Sequence, residues 1–440
     1  MSSTATNAST YREVTEAPAR GSLKNHPALA ASNINFEPGS GKIGLPLMVV
    51  GGVLLLVTLF AGFMGLGGVS LKLALGSYHF ATMSILAITL GATFFTMVFH
   101  LTNAGWTATL RRQFENVMSF LPFAFLLVAV TLIVELAKGG VLFRWIPDGK
   151  THDVILGHKA GYFYWPNHMG EFPAFFYLRA VMYGLVWLFI TRKLIGLSKQ
   201  QDQTGLSDCS AKARFTCAWT MPLFALSTAF AAFDWLMSVD YKFFSTMWGV
   251  YYFAGAAFSG SAVVALIFAV IHLKGKMVGA VTKEHFHDLG KLMFAFTVFW
   301  AYISFSQYFL IWYSNIPEET AFFVHRNNHG WKYLGIALMI GHFAIPFVML
   351  VSRHVKKNPV LMIVMACWAV LIHCADIYWI VRPMVFPDGN GPNVAWIDFV
   401  ALIGVLALFF GYIIHKVVSG PLLAINDPHM DEGLEHKNYV

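Results

Sequence analysis

Apolar residues run through this chain in long unbroken stretches, neither confined to one helical face nor set on alternate positions. Ten such runs stand at about 43–65, 78–101, 117–137, 175–195, 215–238, 246–273, 289–313, 330–352, 358–380 and 395–418. Each is near or above the roughly 20 residues that cross a bilayer's hydrocarbon as a helix. The pattern predicts an all-α polytopic membrane protein with about ten transmembrane helices in the lipid bilayer. A transmembrane barrel is excluded, because its strands would read as alternating segments of about ten residues.

An even number of spans puts both ends on one side. The loops on that side carry Arg111, Arg112, Arg192, Lys193, Lys199, Lys212, Arg214, Lys274, Lys276, Lys283, Arg353, Lys356 and Lys357. The opposite loops carry fewer cations, and Lys138, Arg144, Lys150 and Lys159 are diluted through a long 138–174 segment. Cytoplasmic loops are the cation-rich ones, so both termini are expected in the cytoplasm. The organisation expected is a polar N-terminal tail at 1–42, a transmembrane domain at 43–420 and a C-terminal tail at 421–440. Residues 1–42 lack the order of charged region, apolar core and small-residue cleavage site, so they are not expected to be a signal peptide.

Smaller features refine this picture. Pro46, Pro122, Pro222 and Pro346 lie in or beside the apolar runs and are expected to kink helices. The run from Ala254 to Ser261 is small residues except for Phe258, a face suited to close helix contact. The 138–174 loop carries Phe143, Trp145, Tyr162, Phe163, Tyr164 and Trp165. They suit an aromatic belt at the membrane surface, or a docking surface.

Composition narrows the class further. Of 440 residues 57% are hydrophobic, 16% aromatic and only 12% charged. The charged share is about half that of a soluble domain, which excludes disorder and an ordinary soluble enzyme. Four cysteines at 209, 217, 367 and 374 form neither a C-x-x-C nor an iron–sulfur or haem-attachment run. No intrinsic redox cofactor is therefore expected. The net charge of +7 is spread through loops, so no nucleic-acid partner is expected.

Ionisable side chains within a membrane are expensive and mark function by default. Those in or near the apolar runs are His79, His100, Glu135, Asp234, His272, His342, His373, Asp376 and His415. Towards the side opposite the termini stand Glu135, Asp234, His373 and Asp376, followed by Tyr378 and Arg382. His373 and Asp376 are three apart, on one helical face, and His342 is nearest mid-membrane. Three readings stay open for this group. Glu135, Asp234, His342, His373 and Asp376 form a proton path. Alternatively Asp234, His373, Asp376 and Arg382 line a pocket for a quinone head group. The third reading is a structural network in which acids and bases pair to be tolerated. His100, His272 and His415 are candidates for an entry half-channel from the terminal side. No metal is expected: His79 and His100 are about 31 Å apart along one helix, and His325 with His329 would need further ligands.

Two stretches carry a family resemblance. LTNAGWTATLRRQFENVMSFLP (101–122) holds Trp106, Arg111, Arg112 and Glu115, and FDWLMSVDYKFFSTMWGVYYFAG (233–255) joins spans 5 and 6. With ten spans, over roughly 43–420, they resemble the polysulfide-reductase membrane-subunit (NrfD-like) superfamily. More narrowly they resemble the F-subunit branch of bacterial alternative complex III, a quinol:cytochrome c or quinol:electron-acceptor oxidoreductase. The resemblance implies two four-helix bundles plus two peripheral helices in a bacterial inner (cytoplasmic) membrane, and the polar outer ends of spans 5 and 9 are compatible with halves at spans 2–5 and 6–9. It implies as partners a paralogous C subunit, an iron–sulfur subunit and c-type haem subunits, which hold the redox centres. This chain would scaffold the complex, with proton conduction as a further role, and would not catalyse alone. The alternatives are that it binds and oxidises quinol itself, or that it is a secondary transporter.

Overall fold

The computed structural model of the protein describes residues 26–37, 39–151, 153–328, 330–386 and 391–438. Among them ten helices are long and apolar enough to cross a membrane. They are α1 (Gly44–Met64), α2 (Leu71–Leu101), α3 (Arg111–Lys138), α4 (Ala174–Thr204), α5 (Asp208–Asp240), α6 (Trp248–Leu273), α7 (Lys283–Ser314), α8 (Trp331–Val351), α9 (Pro359–Val385) and α10 (Trp396–Val418). All ten coincide with the apolar runs. Several begin or end beyond them, because helical hydrogen bonding outlasts the apolar stretch: α7 starts at Lys283 on a Thr282 cap. Left-handed glycines end others, Gly65 after α1, Gly139 after α3 and Gly205 after α4.

The chain folds into two four-helix bundles, α2–α5 and α6–α9, with α1 and α10 packed together outside them. Helices α2 and α6 form the seam and are buried along almost their whole apolar length. Lipid is as apolar as leucine, so close backbone approach rather than water exclusion holds such a seam. A Cβ on Gly91 of α2 would fall 1.9 Å from the Ala256 carbonyl oxygen of α6, and one on Gly260 would fall 2.8 Å from the Ala92 nitrogen. The small-residue run on α6 therefore does what its composition predicts. The outer pair is built alike: a Cβ on Gly51 would stand 2.3 Å from the Leu408 nitrogen, and one on Gly411 would stand 2.7 Å from the Met48 nitrogen.

On the terminal side the two ends of the described chain meet. Leu422 N–H donates to the Ile34 carbonyl at 2.9 Å, and Met277 N–H to that of Asn33 at 3.0 Å. Arg111 at the start of α3 pairs with Asp427 at 2.5 Å. Arg112 pairs with Asp202 and, at 3.1 Å, with Glu115, which also accepts from Ser198 at 2.7 Å. Trp106 stacks on His436. The polar residues of the 101–122 stretch thus tie α3 and α4 to the C-terminal segment. Residues 1–25 of the expected N-terminal tail lie outside the described residues.

The 138–174 segment corrects one expectation. It folds into two short helices, Trp145–Asp148 and Val154–Tyr164. Phe143, Trp145, Phe163 and Tyr164 are buried, and Trp145 stacks on Phe163 at 4.2 Å. These rings form the loop's own core against Phe176 rather than a belt facing lipid headgroups. A segment this long buries apolar area only if it packs on itself and on the bundle below it. Trp165 alone among the six is strongly exposed, at 60%.

Candidate functional site

The second bundle gathers His342, His373 and Asp376. Their donor atoms, one from each residue, lie within 4.8 Å of one another, and all three residues are buried. Each reaches this place for a local reason. Helix α8 widens into a π-turn over Met339–Ala344, and His342 sits in it. Such bulges turn a side chain out of the ordinary helical register and are frequent at functional sites. The His342 ring stacks on Trp300 of α7 at 3.8 Å between centroids and lies 4.9 Å from Phe258 of α6. His373 and Asp376 share one face of α9, as their spacing predicts. Gly255 makes room for the His373 ring, which a Cβ there would meet at 3.0 Å.

The hydrogen bonding in this group is uneven. Asp376 accepts from the Tyr251 hydroxyl on one oxygen and from Trp300 Nε1, at 3.2 Å, on the other. Neither ring nitrogen of His342 nor of His373 has a hydrogen-bond partner among the described residues. Buried polar atoms in native proteins are nearly always paired. Four unpaired imidazole nitrogens around one carboxylate therefore call for a proton, a water or an ion.

Beside this group lies a cleft of about 740 Å³ lined by residues of α6, α7, α8 and α9. Tyr251 and Trp300, the two donors to Asp376, stand in its wall, so one layer of side chain separates the carboxylate from the cleft. The lining is largely aromatic and aliphatic, with Phe322 and Phe323 contributed by the short helix Pro317–Asn327. Gln307 also lines it, and both its amide nitrogen and oxygen are buried without a partner among the described residues. The indole nitrogens of Trp248 and Trp379, two further lining residues, are likewise unpaired.

The remaining residues singled out by sequence belong to other networks. Asp234 of α5 accepts from Arg179 of α4 through Nε at 2.9 Å and Nη2 at 2.7 Å, and from the Tyr183 hydroxyl at 2.8 Å. Arg179 also donates to the Tyr162 carbonyl at 2.5 Å. This is a two-pronged, fully paired buried ion pair in the first bundle. Glu135 accepts the N–H groups of Val141, Leu142 and Phe143 at 2.8, 2.8 and 3.2 Å, which fixes the turn after α3. Arg382 pairs with Asp398 of α10 at 3.3 Å, and Asp398 accepts from Ser77 of α2 at 2.5 Å. His79 bonds the Trp235 carbonyl at 2.7 Å. His100, His272 and His415 lie on α2, α6 and α10, and no contact joins them to one another among the described residues. His325 lies in the last turn of the short helix Pro317–Asn327 before α8, and His329 lies outside the described residues.

The geometry thus assembles three of the expected residues and disperses Glu135, Asp234 and Arg382. Sequence reading missed Arg179 and Asp398, although both are ionisable residues inside apolar runs and the same rule flags them. Tyr251, Trp300 and Gln307 carried no such signal, since hydroxyl, indole and amide side chains are ordinary within these spans. No family model matches the chain, and no curated protein matches it.

Proposed function

We propose that this chain is an integral subunit of a respiratory quinol-oxidising complex of the alternative complex III kind, with a proton relay in its second bundle. The observation that supports the relay is the row from Tyr251 and Trp300 through Asp376 to His373 and His342. It is buried, hydrogen-bonded at one end and unpaired at the other. A carboxylate and two imidazoles at this spacing can pass a proton through one or two intervening waters. Quinol oxidation releases two protons and two electrons. The protons suit Asp376, whereas the electrons need centres held by partner subunits, the iron–sulfur and c-type haem subunits that the resemblance implies. The first bundle and the terminal-side ion pairs serve as scaffold.

The cleft favours a second reading, in which the chain itself holds the quinol. An isoprenoid tail suits the apolar walls, and a head group would satisfy the unpaired Gln307 amide while reaching the Tyr251 hydroxyl.

Purification of the untagged chain from its native membranes in mild detergent tests the first reading. Subunits bearing c-type haem and iron–sulfur clusters should co-purify and give a reduced-minus-oxidised haem spectrum. A lone, spectrally silent chain would overturn it. A photoreactive quinone analogue should label α7 or the Pro317–Asn327 helix under the second reading. Labelling confined to a partner subunit would overturn that reading.

A further inference from the structure

The relay group has a second chemical capacity. We propose that His342, His373 and Asp376 form a binding site for a divalent transition-metal ion, with Zn²⁺ the ion that suits them best. Two neutral imidazoles and one carboxylate are a familiar three-ligand zinc set that leaves one coordination position open. The three residues come from two helices and meet in the bundle core. The unpaired nitrogens point to the ligand independently of that spacing. Both imidazoles are buried, and each presents a lone pair that no described residue uses.

The surroundings suit an ion as well. A metal-binding carboxylate is normally oriented by hydrogen bonds from behind, and Asp376 has two such donors, Tyr251 and Trp300. Ring packing between Trp300 and Phe258 holds the plane of His342. Ligands at about 2.1 Å from one tetrahedral ion stand about 3.4 Å apart. The donors here lie within 4.8 Å of one another, so the rings close on the ion by small χ rotations. The cleft beyond Tyr251 and Trp300 gives an approach from outside the bundle. A fourth ligand such as hydroxide would bring the buried charge of the site to zero.

An ion in this place takes the lone pairs that a relay would use, so a bound ion blocks proton transfer. That consequence rests on the relay reading; the binding itself does not. The test uses the untagged full chain in detergent, stripped with a chelator and titrated with Zn²⁺, then with Co²⁺ as a spectroscopic stand-in. Wild type should take up one more tightly held equivalent than His342→Gln or His373→Gln, and Co²⁺ should show the intense bands of a low-coordinate site with nitrogen ligands. Tyr251→Phe, which removes a hydrogen bond to the ligating carboxylate, should weaken binding by about 10- to 100-fold. X-ray absorption at the zinc edge of the wild-type protein needs no variant to fold, and should show two imidazoles and a carboxylate oxygen. Equal uptake by well-folded variants, or a shell without imidazole, would overturn the site. If Zn²⁺ binds as described but leaves proton release by the assembled complex unchanged, the metal site stands and the relay reading falls.

Discussion

The two bundles solve the problem of a buried carboxylate in opposite ways. In the first, Asp234 faces a guanidinium that grips both its oxygens, and a tyrosine hydroxyl donates a third hydrogen bond. In the second, Asp376 pairs with no cation among the described residues and is held by two neutral donors, with two imidazoles beside it that no described residue pairs. A closed network fixes helices in place and has no vacancy for a proton or a ligand. An open one costs stability and keeps its lone pairs available. The contrast separates acid that builds the fold from acid that is free to do chemistry, although both are aspartates inside membrane-spanning helices.

The comparison breaks most sharply at Asp234. Replacing it by Ala strands Arg179 without a counter-ion and should cost about 3–5 kcal/mol, read as a lower unfolding midpoint in detergent. The double change Asp234→Leu with Arg179→Met should recover most of that loss. A single variant as stable as wild type would mean that the pair is not the clamp described. The seam between the bundles comes next. Gly91→Ala drives a methyl group into the Ala256 carbonyl and should cost about 1–3 kcal/mol as α2 and α6 separate.

A smaller effect is expected at Asp153, whose side chain caps the Val154–Tyr164 helix through the Leu156 N–H at 3.0 Å. Asp153→Ala should cost about 1 kcal/mol. That N–H holds the Asp153 carboxyl below its ordinary range. The contribution is therefore complete above the ordinary aspartate range and is lost as pH falls through the lowered value. A loss of the cap on raising pH instead would contradict this sign. The smallest stability change is expected at Asp376→Asn, within about 1 kcal/mol, because the amide oxygen can accept from Trp300 while the Tyr251 hydroxyl rotates to accept from the amide N–H. Under the proposed relay reading its effect should appear elsewhere, as reduced proton release during quinol turnover by the complex that reading names. Large destabilisation with normal proton release would make Asp376 the equivalent of Asp234 and erase the contrast.

The spans were legible because twenty apolar residues in a row leave a chain little alternative to a transmembrane helix. Pairing was not. Asp234 and Arg179 are 55 residues apart, and Asp376 and Tyr251 are 125 apart. Periodicity within one span cannot say which neighbouring span its polar face will meet. His373 and Asp376 could be joined in advance because they share a helix. Their junction with His342 depends on the π-turn, a local change of helical register that no residue in MIGHFA announces. Glu135 looked like a membrane acid because the glycines that let the chain turn back over it, Gly139 and Gly140, lie just past the apolar run. The aromatic loop was misread for a related reason: composition shows that rings are present, not whether they face outward or one another.

The glycine-lined contact between α1 and α10 bears on how the protein is made. Of the ten described spans, the first in the chain has the tenth as its main partner. Through the insertion of eight intervening helices, α1 must wait in lipid with its small-residue stripe uncovered. Only when α10 arrives do the contacts of Leu422 with Ile34 and of Arg111 with Asp427 become available. Truncation before α10 would thus leave an inserted chain whose first helix is unlatched, a ready mark for membrane quality control.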